Sequence, residues 1–329
     1  MIVCENKLLQ YPLKENWKGR VNDPTLDCHY WFNKIELIEN DILDLSADDD
    51  TQKIGLIGYA CDEGVKRNQG RIGASNGPQA LRERLAKLPI HFQNKRIFDF
   101  GDILCLDKDL ESSQEELRNT IQSMLVKNIF PITIGGGHDV TFGNFMGVKD
   151  YLRNSGKGTV GILNFDAHFD LRPKMNQATS GTVFNQINSE LEKLGDAFKY
   201  FVIGIQQQSN SKGLFDIANN LKVDYILNHD CEISNFEEIK TKLSIFLNEV
   251  DHLYITIDLD GFSSAYAPGV SAPSPLGYSP AFVFKVLNYL FSTNKVIACD
   301  IAELNPRFDS DHTTAILAAR LVDHMVLNY

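Results

Sequence analysis

The feature that most constrains this chain is a repeated alternation. Short, wholly apolar runs are separated by stretches of helical period. The runs are IGLIGYA (54–60), PITIGG (131–136), TVGILNF (159–165), FVIGI (201–205), DYIL (224–227), LYITID (253–258) and KVIAC (295–299). Runs that are apolar throughout suggest strands buried on both faces. Repeated strand–helix–strand order predicts a largely parallel sheet covered by helices on both sides. Helix signals lie between the runs. Pro78 sits just inside the start of PQALRERLAKL, and Ser113 with Glu116 has the spacing of a capping box. SPAFVFKVLNYLF and HTTAILAARLVDHMV supply two further helices near the end. No linker, low-complexity tract or internal repeat interrupts the pattern, which predicts one domain.

Composition excludes several functions. The 329 residues carry 43 Asp+Glu against 32 Lys+Arg, a formal net charge of −11. This balance argues against a nucleic-acid partner and against an anionic membrane surface. No apolar run approaches the roughly 18 residues of a membrane span. The N-terminus lacks the basic, apolar, then small-residue pattern of an export signal. Six scattered cysteines without a C-x-x-C pair read as reduced core residues. Together these features predict a cytoplasmic protein.

In open parallel sheets, ligands bind beyond the carboxyl ends of the strands. Four such ends are chemically unusual. ITIGGGHDVTFGN places His138 after three glycines that allow close backbone approach and positive φ. ILNFDAHFDLRP presents Asp166, His168 and Asp170 at alternate positions, on one face while the chain stays extended. YITIDLDGF adds Asp258 and Asp260, and VIACDIAELNP adds Asp300 and Glu303. Converging carboxylates after buried strands repel one another unless a cation supplies the missing charge. Asp300 reads equally as a helix cap or a surface charge, and Glu303 as a group holding a cationic substrate. An oxygen-rich, imidazole-containing donor set without thiolate suits harder divalent ions, Mn²⁺ among them. Six ligands exceed what one catalytic ion usually takes. Two ions about 3.5–4 Å apart account for them better, and would deliver hydroxide to a trigonal carbon.

In this order and combination, G-G-G-H138, D166-A-H168-F-D170, D258-L-D260 and D300-I-A-E303-L-N-P resemble the ureohydrolase superfamily of arginase, agmatinase and formimidoylglutamase. The resemblance covers roughly residues 54–329. It implies a three-layer α/β/α sandwich with a mainly parallel sheet of about eight strands. It also implies two Mn²⁺ per subunit, held by His138, Asp166, His168, Asp170, Asp258 and Asp260. Residues 1–329 would form one such domain, with 1–53 an N-terminal extension packed on it. The superfamily's oligomers suggest a homotrimer or hexamer.

Within the superfamily, the finer pattern resembles formimidoylglutamases. Arginases and agmatinases read D-x-D-x-x-D-P at the third motif, whereas Asp260 here is followed by Gly-Phe-Ser263-Ser264, within a segment FSSAYAPGVSAP (262–273) of formimidoylglutamase type. Arg172 stands where arginases have Asn, and Phe184 where they have a proton-shuttling His. The stretches CDEGVKRNQGRIGASNGPQALR (61–82) and WKGRVND (17–23) point the same way. The expected activity is cleavage of N-formimidoyl-L-glutamate to L-glutamate and formamide, a step of histidine degradation. The alternative is a guanidino hydrolase of the arginase or agmatinase type. A planar guanidinium at 172 can clamp a carboxylate in bidentate fashion, which a neutral Asn cannot; the competing reading is a salt bridge within the site wall. By resemblance, Asp170 moves the proton to the departing amine, Glu303 holds the amidinium, and Arg172 with Ser180 orients the glutamate moiety. Arg67 and Arg71, in a glycine-rich loop, could reach substrate or a neighbouring subunit. The histidines outside the motifs read as surface or packing residues.

Overall fold

The computed structural model describes residues 8–20, 29–39, 42 and 51–329. Cys4, Cys28 and residues 21–23 of the WKGRVND segment lie outside them. The strands are β1 (Leu9–Gln10), β2 (Ile35–Leu37), β3 (Gln52–Ala60), β4 (Lys95–Leu104), β5 (Ile129–Ile134), β6 (Val160–Phe165), β7 (Tyr200–Ile205), β8 (Asp224–Leu227), β9 (His252–Asp258) and β10 (Val296–Ala302). The helices are α1 (Trp31–Lys34), α2 (Glu63–Arg67), α3 (Gly77–Leu85), α4 (Leu110–Val126), α5 (Val140–Ser155), α6 (Val183–Leu194), α7 (Lys212–Asn220), α8 (Phe236–Leu247), α9 (Pro280–Ser292) and α10 (Thr313–Asn328).

Among the described residues, all ten strands join one sheet in the order β1-β4-β3-β5-β10-β9-β6-β7-β8, with β2 also on β4. Every pairing is parallel except β1 with β4. The sheet therefore has two strands more than the eight expected, because β1 and β2 from the N-terminal segment add to the edge at β4. Two cores flank it. One packs α3, α8, α9 and α10 on one face, and the other packs α4, α5, α6 and α7 on the opposite face. That is the expected three-layer α/β/α sandwich.

All seven apolar runs are strands. The eighth long strand, β4, was hidden by its charged residues. Asp99 is wholly buried there, yet Arg82 Nη2 donates to it at 2.8 Å and Trp17 Nε1 at 2.7 Å. A buried carboxylate is tolerable only when paired in this way. The capping box is also corrected. Helix α4 begins at Leu110, capped by Asp109, whose side chain accepts from the Ser112 N–H. Ser113 lies inside the helix, donating to the Leu104 and Asp109 carbonyls. Asp109 meets the free N–H groups one turn earlier and so takes the cap.

Candidate metal centre

Strands β5, β10, β9 and β6 are consecutive neighbours in the middle of the sheet. The four chemical motifs follow these four strands, so they emerge at one edge. The glycine segment works by close approach. A Cβ on Gly136 would lie 1.8 Å from the Cys61 carbonyl oxygen, and one on Gly135 2.9 Å from the Ile301 oxygen. Positive φ has no part in it, contrary to expectation: none of Gly135, Gly136 and Gly137 is left-handed. Bare backbone lets β5 run past its neighbours before delivering His138 into the site.

The extended alternation expected for Asp166, His168 and Asp170 also fails. Strand β6 ends at Phe165, and the Asp166 carboxylate accepts the His168 N–H at 2.6 Å, bending the chain at once. Asp258 repeats the device, accepting the Asp260 N–H at 2.8 Å. Such local side-chain turns are what short carboxylates favour at strand ends. Asp170 (φ 47°) and Glu303 (φ 68°) have left-handed backbone, which is uncommon for residues with a Cβ. Strain of this kind persists where surrounding structure over-determines it, often at functional sites.

The turns converge. His138 Nδ1 lies 3.2 Å from Asp166, 3.0 Å from Asp170 and 3.2 Å from Asp258. His168 Nδ1 lies 3.1 Å from Asp260 and 3.4 Å from Asp166. Two donor groups result, His138–Asp166–Asp170–Asp258 and Asp166–His168–Asp260, sharing Asp166. One imidazole N–H cannot satisfy three carboxylates, and the buried Asp260 Oδ1 has no hydrogen-bond partner. Burial, followed by the charges of Asp260 and Asp166, holds the Asp258 carboxyl well above its ordinary value. Burial and then Asp166 likewise raise Asp170. These residues fit divalent cations, whose charge and vacant coordination positions meet both the repulsion and the orphaned oxygens.

Around this centre lies a cavity of about 310 Å³. Arg172, Ser180, Glu303, Asn68 and Asn210 line it alongside the acidic cluster. The exposed Arg172 guanidinium has no ion-pair or hydrogen-bond partner among the described residues, so the wall salt bridge is not formed. Glu303 Oε1 accepts the His138 N–H at 3.0 Å, while its buried Oε2 has no partner. Burial, then the Asp260 charge, pushes the Glu303 carboxyl up to about 8. Asp300 is neither a cap nor a surface charge. It is fully buried beneath the site, accepting from Thr256 at 2.6 Å, from Thr141 at 3.3 Å and from the Tyr254 hydroxyl.

Both loop arginines have structural partners. Arg67 pairs with Glu111 at 2.8 Å and with Glu63 at 3.4 Å, away from the cavity. Arg71 borders the cavity, but its guanidinium is held by the Ser271 and Val270 carbonyls and lies over the Phe308 ring. Asn210 gave no signal in the sequence. Its side chain accepts from the Phe169 N–H at 3.0 Å and donates to the Ala167 carbonyl at 2.8 Å, stapling the D-A-H-F-D turn. An isolated Asn 40 residues along the chain has no motif to reveal that role.

Comparison with known proteins agrees with this geometry. The pattern of the Arginase family matches residues 52–327. The chain belongs to the arginase family. It is a hydrolase of that family. It is 42% identical to the formimidoylglutamase of Rhodococcus jostii (strain RHA1), over 98% of each chain. It is 39% identical to that of Clostridium tetani (strain Massachusetts / E88), covering 93% of this chain and 92% of the relative. Among solved structures, Trypanosoma cruzi formiminoglutamase with Mn²⁺ superposes with a TM-score of 0.74 at 26% identity, covering 87% of this chain and 96% of that one. No described helix is long and apolar enough to cross a membrane.

Proposed function

We propose that the chain hydrolyses N-formimidoyl-L-glutamate to L-glutamate and formamide at a binuclear manganese centre. His138, Asp166, Asp170 and Asp258 would hold one ion, and Asp166, His168 and Asp260 the other. When bound, the ions supply positive charge and an activated water beside a trigonal amidine carbon. The observation that carries the substrate assignment is the unpaired Arg172 guanidinium at the wall of the cavity that holds the acidic cluster. A substrate with two carboxylates gains most from such a partner, whereas arginine carries a single carboxylate beside an ammonium and agmatine carries none.

The residues divide the work by position. Glu303 keeps one buried oxygen free, and a cationic amidinium nitrogen satisfies it while restoring its charge. Asp170 borders the cavity and is the carboxylate to take the proton from the attacking water and pass it to the leaving amine. Arg172 and Ser180 share the cavity wall and orient the glutamate moiety. Phe184 is wholly buried and cannot carry protons, so solvent or Asp170 serves in place of a shuttling His.

We read residues 1–329 as one arginase-like domain with 1–53 packed on it; the pairing of β1 and β2 with β4 supports this. We also read the protein as cytoplasmic, within histidine degradation, and as a homotrimer or hexamer. The deciding assay is a substrate panel on Mn-loaded protein. Formamide released from N-formimidoyl-L-glutamate, with no urea from arginine or agmatine, is the expected result. Urea release from either guanidino compound in preference would overturn the assignment in favour of a guanidino hydrolase.

A further inference from the structure

Beside the metal centre, the structure brings together two thiols that the hydrolytic chemistry does not use. Strands β3 and β4 run parallel with Ala60 opposite Leu104. Each of these is the last residue of its strand and is followed by a cysteine, so Cys61 and Cys105 leave the sheet from paired positions. Both are free thiols. Neighbouring strands sit about 4.8 Å apart, inside the roughly 4.4–6.8 Å Cα separation that a disulfide spans.

The two thiols are unequal. Cys61 is 1% exposed, whereas Cys105 is partly open to solvent. The neighbouring Cys61 thiol lowers the Cys105 thiol below its ordinary value, against the opposing effect of partial burial. Cys105 in turn, then burial, raises Cys61. The accessible sulfur is therefore the better thiolate, and the buried one is its resolving partner. The pair is also wired to the site. The Cys61 carbonyl accepts the Gly137 N–H at 3.0 Å, one residue before His138, and Gly136 packs against the same oxygen. The segment following Cys61 supplies Val65, Asn68, Gly70 and Arg71 to the cavity.

We propose that Cys61 and Cys105 are a peroxide-responsive pair whose disulfide reversibly lowers hydrolytic activity. The Cys105 thiolate attacks one peroxide oxygen, breaking the O–O bond and releasing hydroxide, which leaves as water with the thiol's proton. Cys105 is then a sulfenic acid. The Cys61 sulfur displaces its oxygen, forming the S–S bond and releasing a second water. The two sulfurs together lose two electrons and the peroxide is reduced to two waters. Drawing the two sulfurs into a bond moves the Cys61 carbonyl, and with it the glycine segment that aims His138.

The test treats Mn-loaded protein with a small excess of hydrogen peroxide, followed by non-reducing peptide mapping. The expected product is a Cys61–Cys105 linked peptide pair, lighter by two hydrogen atoms than its separate members. Dithiothreitol should dissolve it, with hydrolysis and bound manganese falling and recovering in step. Cys105→Ser should keep the basal activity and lose the peroxide response. Cys61→Ala should accumulate a sulfenic acid at Cys105 that dimedone traps. Oxygen adducts at Cys105 with Cys61 unlinked in the unsubstituted protein would overturn the pairing. A linked protein with unchanged activity and manganese content would overturn its regulatory effect.

Discussion

Phe184 packs edge-on against His138, with ring centroids 5.5 Å apart and planes at 79°, and stacks on Tyr200 at 4.2 Å. Phe184 is thus a buried wall fixing one face of a candidate metal ligand. Truncating it to Phe184→Ala should cost about 3–5 kcal/mol, as for other large-to-small changes in a packed core. The imidazole, freed on that face, should also hold manganese more weakly. Urea denaturation and calorimetric Mn²⁺ titration measure the two effects. Full manganese affinity in the Ala variant would separate Phe184 from the site.

Arg172→Asn removes the unpaired guanidinium and leaves a neutral amide in its place. A charge-assisted hydrogen bond is worth about 1.5–3 kcal/mol, so the KM for N-formimidoyl-L-glutamate should rise about 10–100-fold. Turnover at saturation should change less, because the carboxylate is held equally in ground and transition states. Steady-state formamide release gives both constants. An unchanged KM would remove the argument for a dicarboxylate substrate.

What the sequence revealed followed from periodicity and from short spacing. Wholly apolar runs marked seven strands, and D-x-H-x-D beside D-x-D marked the residues that the structure gathers within hydrogen-bonding distance of each other. What it hid depends on partners far along the chain. β4 is interrupted by Asp99 and Asp102, and nothing nearby announces that Arg82 neutralises both. Asp300 reads as a surface charge until the three hydroxyls around it are seen. The site motifs also misled about mechanism: carboxylates that look aligned by extended backbone are gathered by tight side-chain turns instead.

Asp300 acts on His138 through a hydroxyl. Thr256 donates to Asp300 at 2.6 Å and sits 3.0 Å from His138 Nε2. In the tautomer that would hold a cation, Thr256, its own proton committed to the carboxylate, accepts from Nε2–H and leaves the Nδ1 lone pair for the ion. Asp300→Asn cannot accept all three hydroxyls, since its amide nitrogen donates. Manganese affinity should fall about 10–100-fold, the scale seen when partners orienting metal-bound histidines are lost. Calorimetric titration with circular dichroism as the control for folding tests this. Unaltered affinity would show that the imidazole is fixed by packing alone.

Arg82 is 1% exposed and bridges Asp99 at 2.8 Å, Asp102 at 2.6 Å and the Gly101 carbonyl at 2.8 Å. Because Trp17 donates to the other oxygen of Asp99, this cluster also ties the N-terminal segment to the sheet edge. Arg82→Met should destabilise the fold by about 3–5 kcal/mol, chiefly by stranding a buried carboxylate. Adding Asp99→Asn should recover part of that loss, because the amide removes the stranded charge. A double-mutant cycle in urea, followed by tryptophan fluorescence, gives the coupling directly. Strictly additive losses would mean that the ion pair contributes nothing beyond the packing of its separate side chains.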